Sequence, residues 1–301
     1  MEFNGVINVY KEAGFTSHDV VAKMRGILKQ KKIGHTGTLD PDAQGVLPIC
    51  LGRGTRLCDM LTDHDKVYEA VLRLGITTDT QDMSGAILQE REVCVTNEEV
   101  KTCITSFVGE QMQIPPMYSA IKIGGKKLYE LAREGKEVER EARKVVFHEI
   151  QILDIDLPNV TIRVHCSKGT YIRTLCNDIG EKLGCGGCME KLLRTRVERF
   201  ELKDAKTLDE IRTMVEQGTI LEAIVPVDVM FSDCLAIYTT KMGDRLVHNG
   251  NSFSEEFVKM PEQEIKHGTQ VRIYDSEGIF IGIFERKGHY FAPVKMFYQK
   301  P

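Results

Sequence analysis

The sequence has no run of apolar residues long enough to cross a bilayer, which takes about 20 in succession. Its first residues, MEFNGVINVYKEAGF, carry an acid at position 2 and lack the apolar h-region of a signal peptide. With 42% hydrophobic and 28% charged residues, the chain also lacks the composition of a disordered protein. We therefore expect a folded cytoplasmic protein that needs no membrane, with about two domains in 301 residues.

The patterns of several common cofactor and metal sites are also missing. Nine cysteines form an odd, scattered set, which argues against a disulfide framework. Cys185 and Cys188 form a CxxC pair without the second pair of a zinc site. Residues 79–82 lack the ligand alternation of a calcium loop, and no segment shows the GKS or GKT ending of a phosphate-binding loop. We therefore expect no cofactor and no metal.

Charge is distributed unevenly along the chain, although the formal net charge is only −4. Residues 117–145 hold eight Lys or Arg against five acidic residues, and residues 163–199 hold eight against four. Residues 201–264 hold six against thirteen and mask both basic stretches. A polyanion senses local charge within a Debye length of about 8 to 10 Å, so a nucleic-acid partner remains open beside the alternative of solvated surface.

Hydrophobic periodicity indicates helices and strands in irregular alternation. Apolar spacing after Thr16 predicts a helix over residues 17–30, and alternation predicts a strand over residues 66–76. Two capping boxes, Thr96 with Glu99 and Thr207 with Glu210, predict helices that end near residues 108 and 217. A hairpin of residues 143–156 and 160–166 precedes a helix that begins at Ile172.

The chain changes character after about residue 229. Short strands at 270–275, 279–285 and 290–296 are separated by the turn signals SEG and KGH. This pattern is typical of a small β-barrel or sandwich. We place a domain boundary near residues 229–235.

A glycine-rich segment, GHTGTLDPDAQGVLPICLG at residues 34–52, follows the first helix. Three glycines with His35, Asp40 and Pro41 exclude a helix or a regular strand, so we predict a loop that presents a functional site. Two other interpretations stay open. Asp40 and Pro41 are also typical of a simple turn, and His35, Asp40 and Asp42 form a weak candidate metal site without repeated ligand spacing.

The sequence resembles the TruB family of bacterial tRNA pseudouridine synthases in five segments that follow the family's order. They are GHTGTLDPDAQGVLPICLG (34–52), DKVYEAVLRLGITTDTQDMSG (65–85), QIPPMYSAIKIGGKKLYELAREGKEVEREAR (113–143), CSKGTYIRTLCNDIGEKLG (166–184) and LLRTRVERF (192–200). Because they cover most of residues 1–230, the resemblance is specific. The final stretch resembles the family's small PUA-like RNA-binding domain more weakly.

The resemblance implies an α+β architecture. A pseudouridine synthase domain, residues 1–230, is expected to hold a mixed, mainly antiparallel central sheet flanked by helices, with a tRNA-gripping insertion at about 113–143. Residues 231–301 are expected to form a PUA-like β-barrel. The implied activity is isomerisation of a uridine in the T-arm of tRNA, position 55, to pseudouridine by a monomer without a cofactor.

The resemblance also implies three catalytic residues. Asp40 matches the nucleophile, which adds to the pyrimidine or to the ribose anomeric carbon. Arg173 matches the arginine that pairs with the nucleophile, on the polar face of its helix. Tyr68 matches a tyrosine that stacks on the flipped uracil. Its alternation with Ala70 and Leu72 alone instead favours a core position.

Further residues match substrate-binding positions of the family. Tyr171 and Leu192 match residues that line the uracil pocket, and His35 matches one that holds the flipped base or its neighbour. The basic residues expected to contact tRNA phosphates are Lys126, Lys127, Arg140 and Arg143.

Three alternative functions remain beside this one. A relative could take its target from a guide RNA, although the insertion matches the stand-alone bacterial form. A protein that only binds or folds tRNA would not depend on Asp40. A metal-dependent phosphodiesterase would use His35, Asp40 and Asp42 and would be sensitive to chelators.

Overall fold

The computed structural model describes residues 2–261 and 264–299. Residues 1, 262, 263, 300 and 301, which fall within the two predicted domains, lie outside the described residues. The strands of the described part are β1 (Gly5–Lys11), β2 (Ile33–His35), β3 (Gln44–Leu51), β4 (Lys66–Leu74), β5 (Ile76–Thr78), β6 (Ile87–Glu90), β7 (Gly109–Gln113), β8 (Lys122–Ile123), β9 (Lys126–Lys127), β10 (Arg143–Asp156), β11 (Asn159–Cys166), β12 (Gly187–Val197), β13 (Phe200–Glu201), β14 (Ile224–Val225), β15 (Leu235–Thr239), β16 (Phe253–Ser254), β17 (Val258–Lys259), β18 (Gln270–Tyr274), β19 (Phe280–Lys287) and β20 (Tyr290–Met296). The α-helices are α1 (Ser17–Leu28), α2 (Cys58–Thr62), α3 (Asn97–Thr105), α4 (Leu128–Arg133), α5 (Ile172–Lys182), α6 (Leu208–Gln217) and α7 (Asp244–His248). Among these helices, none has the length and apolar character that a membrane span requires.

The predicted helix starts are confirmed by their capping contacts. The Thr16 hydroxyl accepts the Asp19 N–H at 3.1 Å, and the Asp19 carboxylate accepts the Thr16 N–H at 2.8 Å. The same reciprocal arrangement caps α3 and α6, at Thr96 with Glu99 and at Thr207 with Glu210. Each box satisfies backbone donors that the first helical turn leaves unpaired.

Two helices end earlier than predicted. Helix α1 stops at Leu28, because Lys29 adopts a left-handed conformation with φ of 50°. Helix α3 stops at Thr105. The N–H groups of residues 107 and 108 each donate to the carbonyl three residues earlier, which makes tighter turns than those of an α-helix. Helix α6 ends at Gln217 as predicted, since Gly218 supplies the left-handed cap.

The central sheet runs in the order β14-β1-β3-β12-β4-β11-β10-β7, with β2 beside β3 and β13 beside β12. Its described pairs are antiparallel except for β3 with β12. Helices α1 and α6 cover the β1–β3 half in one core, and α3 and α5 cover the β4–β11–β10 half in another. The expected mixed, mainly antiparallel sheet flanked by helices is therefore confirmed.

The predicted hairpin of residues 143–166 is formed by β10 and β11, which pair from Asp156 opposite Asn159. Near its far end, Phe147 pairs with Cys166 but Glu149 pairs with His165. The residue between Phe147 and Glu149 is therefore extra, which is the definition of a β-bulge.

The glycine-rich segment is not a loop throughout, so the prediction of a wholly irregular segment is wrong at both ends. Residues 33–35 and 44–51 are strands, and 36–43 form the loop between them. The apolar run VLPICL forms a buried strand of the sheet. The prediction missed this strand because it gave more weight to the glycines of the segment than to this run. Position 45 requires glycine for two reasons. A Cβ there would lie 2.2 Å from the Arg194 carbonyl oxygen, and the backbone φ of +106° is one that other residues rarely adopt.

The C-terminal strands form a six-stranded sheet in the order β16-β20-β19-β18-β15-β17. Residues 255–257 alone separate the two end strands along the chain, so the sheet is nearly closed around its own core. This agrees with the expected PUA-like barrel. The boundary near 229–235 stays a prediction.

The barrel shares a second buried cluster with the central sheet. Ile283 and Phe297 of the barrel region belong to the same cluster as Val6, Val46 and Phe200. All five side chains are buried. The two parts of the chain therefore meet through apolar packing rather than through a solvated linker alone.

Candidate active site

A cleft of about 1130 Å³ opens beside the central sheet. Its lining comes from the β2–β3 loop, the β5–β6 turn, strand β12 and the insertion that contains β8, β9 and α4. Asp40 and Arg173, which lie 133 residues apart in the sequence, both line this cleft. The loop predicted to present a functional site therefore opens into the cleft.

Asp40 and Arg173 form a two-pronged ion pair. The Arg173 Nε lies 3.0 Å from Asp40 Oδ2, and its Nη2 donates to Oδ1 at 3.2 Å. Arg173 is only 5% exposed, whereas the Asp40 side chain keeps 36% of its surface open. The planar guanidinium thus fixes the orientation of a carboxylate that the cleft can still reach.

Arg173 also holds two further segments of the cleft in place. Its Nη1 donates to the Thr80 carbonyl at 3.0 Å, and its Nη2 donates to the Tyr118 carbonyl at 2.8 Å. The Asp82 carboxylate lies 3.5 Å from Nη1 as a second anionic partner. One buried side chain therefore connects the β2–β3 loop, the β5–β6 turn and the insertion.

The electrostatic surroundings of Asp40 act in opposite directions. Burial raises the pKa of the Asp40 carboxyl, and the nearby Asp82 carboxylate raises it further. The Arg173 guanidinium lowers that pKa, and Lys11 adds a smaller effect of the same sign. The two cations therefore favour the ionised carboxylate in a site whose burial disfavours it.

Lys11, which sequence analysis did not single out, lies buried next to the Asp40 loop. Its Nζ donates to the Pro41 carbonyl at 2.9 Å and to the Ala43 carbonyl at 2.6 Å. Burial lowers the pKa of Lys11 to about 8. On the other side of Asp40, the Ser17 hydroxyl accepts the Leu39 N–H at 2.9 Å. The loop is therefore anchored on both sides of Asp40.

Tyr68 lies in the core rather than on the cleft wall. It is 7% exposed and belongs to the same buried cluster as Leu39 and Ala43, which flank Asp40 in the loop. Burial raises the pKa of its phenol, and the buried Arg194 opposes that rise. The alternation in β4 thus correctly favoured a core position, and the Asp40 charge still contributes to the Tyr68 pKa.

Tyr171 and Leu192 are held by different elements, and of the two only Leu192 lines the cleft. Tyr171 precedes α5, and its N–H donates to Gln113 Oε1 at 2.8 Å while Gln113 Nε2 donates to its carbonyl at 2.9 Å. Burial raises the pKa of Tyr171, with a contribution from the Asp40 charge. Leu192 is half-buried and lines the cleft from β12.

His35 is half-buried at the end of β2 and does not line the cleft. Its Nδ1 accepts the Gly37 N–H at 3.3 Å, and its ring lies edge-on to that of His18, with centroids 5.1 Å apart. Burial and the neighbouring His18 lower the pKa of His35. His18, which sequence analysis did not select, is the member of this pair that lines the cleft.

The insertion turns an aromatic ring with two cations toward the cleft. Lys127 Nζ donates to the Tyr129 hydroxyl at 3.1 Å and lies 5.2 Å from the ring centroid. The Arg133 guanidinium lies 5.5 Å from the same centroid, and all three residues line the cleft. Such a group can contact phosphates and bases together. Of this trio, only Lys127 was predicted as a site residue.

The other three predicted phosphate contacts differ from Lys127. Lys126 is exposed and forms an ion pair with Glu134 at 2.9 Å. Arg140 is half-buried and donates to the Pro115 carbonyl at 3.4 Å. Arg143 is exposed at the start of β10. The four residues therefore differ in exposure and in bonding partners.

The alternative metal site is not formed. Within residues 2–261 and 264–299, the one group of three converging His, Cys, Asp or Glu donors does not contain His35, Asp40 or Asp42. Asp40 is engaged by Arg173 instead. The metal-dependent phosphodiesterase therefore loses the feature on which it depended.

Comparison with known proteins identifies the family of the chain. Residues 25–172 match the N-terminal domain model of the TruB family pseudouridylate synthases, and residues 173–232 match the tRNA pseudouridylate synthase B C-terminal domain. The chain is 52% identical to tRNA pseudouridine synthase B of Lachnoclostridium phytofermentans, over 98% of this chain and 99% of that one. It is 46% identical to the protein of the same name from Clostridium tetani, over 97% and 99%.

Among solved structures, the fold is similar to a chain of an H/ACA RNP bound to a substrate RNA containing 2'-deoxyuridine. The TM-score is 0.71 at 26% identity, over 98% of this chain and 85% of that one. A chain of a Cbf5-Nop10-Gar1 complex gives the same TM-score at 28% identity, over 98% and 85%. Because relatives at up to 52% identity match almost from end to end, this chain belongs to the TruB family of pseudouridylate synthases.

Proposed function

We propose that this protein isomerises a uridine in the T-arm of tRNA, position 55, to pseudouridine, with Asp40 as the nucleophile. The observation that carries the proposal is the carboxylate of Asp40, held by Arg173 and open to a cleft large enough for a nucleotide. Full-length relatives named tRNA pseudouridine synthase B support tRNA as the substrate. The test is to incubate the protein with unmodified tRNA and to map pseudouridine with a base-specific chemical probe.

In the proposed reaction, Asp40 adds to the pyrimidine ring or to the ribose anomeric carbon. The bond between uracil N1 and the anomeric carbon breaks, the base rotates, and a new bond forms between uracil C5 and that carbon. The bond to Asp40 then breaks, which regenerates the carboxylate. The proton on C5 is lost and N1 gains one, so the product is an isomer of the substrate. Atoms balance without an oxidant, a reductant or a second substrate.

The target base has to leave its stack to reach Asp40, because the carboxylate lies inside the cleft. Leu192 offers the flipped uracil an apolar contact from the cleft wall. Tyr68 is 7% exposed and does not line the cleft, so its stacking on uracil requires movement of the side chains that cover it. In this proposal, Lys127, Tyr129 and Arg133 contact the RNA around the flipped nucleotide; their position in the cleft lining supports this role.

Guide-RNA-dependent modification is a second candidate, favoured by the TM-score of 0.71 to a chain of an H/ACA RNP. Identity to that chain is 26%, against 52% to a tRNA pseudouridine synthase B. Activity on a bare tRNA transcript, without other proteins or RNA, supports the stand-alone enzyme. Activity that appears only after a guide RNA is added supports the second candidate.

We expect turnover to survive excess chelator and to need no nucleotide. The reason is that the proposed chemistry needs only a carboxylate, and Asp40 is paired with a guanidinium rather than with other metal ligands. The measurement is pseudouridine formation on tRNA folded beforehand in magnesium and then exchanged into chelator. A requirement for a divalent ion that persists on prefolded tRNA would contradict the prediction.

Neutralising Lys126, Lys127, Arg140 and Arg143 together is expected to weaken tRNA binding and to flatten its salt dependence. Each phosphate contact that is lost lowers the log–log salt slope by about 0.7 to 0.9, whereas the reacting base is untouched. Turnover at saturating tRNA should therefore stay closer to normal. Binding titrations over a series of salt concentrations measure the slope.

A control variant neutralises Lys101, Lys203 and Arg212, which are exposed, ion-paired and outside the cleft. It should keep the wild-type slope. If the insertion variant also keeps that slope, the four residues are only solvated surface.

A further inference from the structure

Three potential metal ligands converge at one end of strands β4, β10 and β11. Asp65 Oδ2 lies 3.0 Å from His148 Nε2 and 3.9 Å from His165 Nε2. One donor atom from each residue lies within 4.8 Å of the others. The two imidazole rings face each other at a tilt of 45°, with centroids 4.8 Å apart. Nothing in the proposed reaction uses this group.

The β-bulge in β10 brings the two histidines together. His148 is the extra residue between Phe147 and Glu149, and Glu149 is the residue paired with His165. In a regular strand, His148 would point to the face opposite Glu149. A bulge re-aims the side chain of its extra residue, and here His148 turns toward His165 while Phe147 stays buried.

We propose that Asp65, His148 and His165 bind a divalent transition-metal ion of the zinc class. Two imidazoles with one carboxylate suit zinc, cobalt or nickel, whereas magnesium and calcium prefer oxygen donors alone. Zinc binds these donors at about 2.0 to 2.2 Å in tetrahedral geometry, which sets them about 3.3 to 3.5 Å apart. Small side-chain rotations at Asp65 and His148, both exposed, reach that spacing from the separations observed.

The charges around the group allow a cation to bind. Asp65, Asp63 and Glu198 line the adjoining depression, where Arg196 is the basic member. Lys168 is close by, but it forms an ion pair with Asp63 at 2.9 Å. Glu198 is likewise paired with Arg199 at 3.0 Å, so Asp65 is the carboxylate of this lining that is left to offset the charge of a bound cation.

The site is separate from the cleft, because none of its three ligands lines that cavity. Asp65 immediately precedes β4, and the two histidines lie on the next strands of the sheet. A bound ion would therefore connect β4, β10 and β11 at one end. Its expected effect is on stability, because a ligand that binds only the folded state raises the melting temperature.

For the experiment, the full-length protein is treated with chelator and then exchanged into metal-free buffer. Cobalt is titrated and followed by its visible d–d absorption, and zinc is then added in competition. We expect one saturable site without a sulfur-to-cobalt charge-transfer band, and a zinc-dependent rise in melting temperature. His148→Gln and Asp65→Asn should each lower metal affinity by about tenfold or more.

The matched control is His289→Gln, which removes an exposed histidine of the barrel and should keep wild-type affinity. His148→Gln should melt like the wild type in chelator, which establishes that its fold is intact, and should lose the zinc-dependent rise. Undiminished affinity in His148→Gln, a charge-transfer band from cysteine ligation, or no saturable binding by the wild type would each overturn the proposal.

Discussion

Replacing Asp40 with asparagine is expected to abolish pseudouridine formation while tRNA binding persists. The amide keeps the size and shape of the carboxylate but has no negative charge with which to attack carbon. Binding should survive because the cations of the insertion are untouched. The measurements are single-turnover product formation on saturating tRNA and a separate tRNA titration.

Asp42→Asn is the matched control, because Asp42 lines the same cleft two residues further along the loop. This variant should keep most of the wild-type turnover. Thermal melts are required alongside, since loss of the Asp40 charge leaves the buried Arg173 with Asp82 as its remaining anionic partner and is expected to lower the melting temperature. If a folded Asp40→Asn protein retains a tenth of wild-type turnover, the nucleophile assignment is wrong.

Arg173→Lys is expected to impair turnover severely, although the positive charge is kept. A lysine ammonium cannot reproduce the two parallel contacts to Asp40, and it cannot hold the Thr80 and Tyr118 carbonyls at the same time. The carboxylate loses its fixed orientation, and the insertion loses a contact. Single-turnover kinetics and a thermal melt together separate loss of chemistry from loss of fold.

A pH profile distinguishes this positioning role from a merely structural one. The nucleophile must be ionised, so kcat/KM should fall as pH drops through a pKa above the ordinary 3.8 of aspartate, because burial raises it. Arg173→Lys keeps the positive charge but loses the two contacts that favour the ionised form of Asp40, so the acidic limb of this variant should move to higher pH. Arg133→Lys should leave the limb in place, because Arg133 lines the same cleft but is not among the groups that shift the pKa of Asp40. An unmoved limb in Arg173→Lys would contradict the electrostatic role.

Local features of the fold could be predicted from the sequence because their causes are local. A capping box needs residues three positions apart, and the contacts of Thr16, Thr96 and Thr207 with their N3 carboxylates follow directly. The β10–β11 hairpin likewise depends on one turn. Its bulge at His148 could not be predicted, because the sequence shows only two polar residues, His148 and Glu149, after the apolar Phe147.

The ion pair at the centre of the site could not be derived from periodicity, since it joins positions 133 residues apart. The resemblance supplied Asp40 and Arg173, but it did not lead us to Lys11 or Asp82. Lys11 ends an apolar strand, and a lysine at such a position is typical of the surface. Only the structure shows that its Nζ donates to two carbonyls of the Asp40 loop. Asp82 was weighed only as a calcium ligand, and its place beside Arg173 depends on tertiary structure.

The buried apolar cluster that the barrel shares with the central sheet limits how the two parts can move when RNA binds. Swinging the barrel away would expose Ile283 and Phe297 together with Val6 and Val46, and each such side chain costs about 1.5 to 3 kcal/mol to expose. We therefore expect the barrel and the central sheet to move together rather than to hinge freely. We therefore expect the distance between the barrel and Asp40 to stay nearly constant when the protein binds RNA.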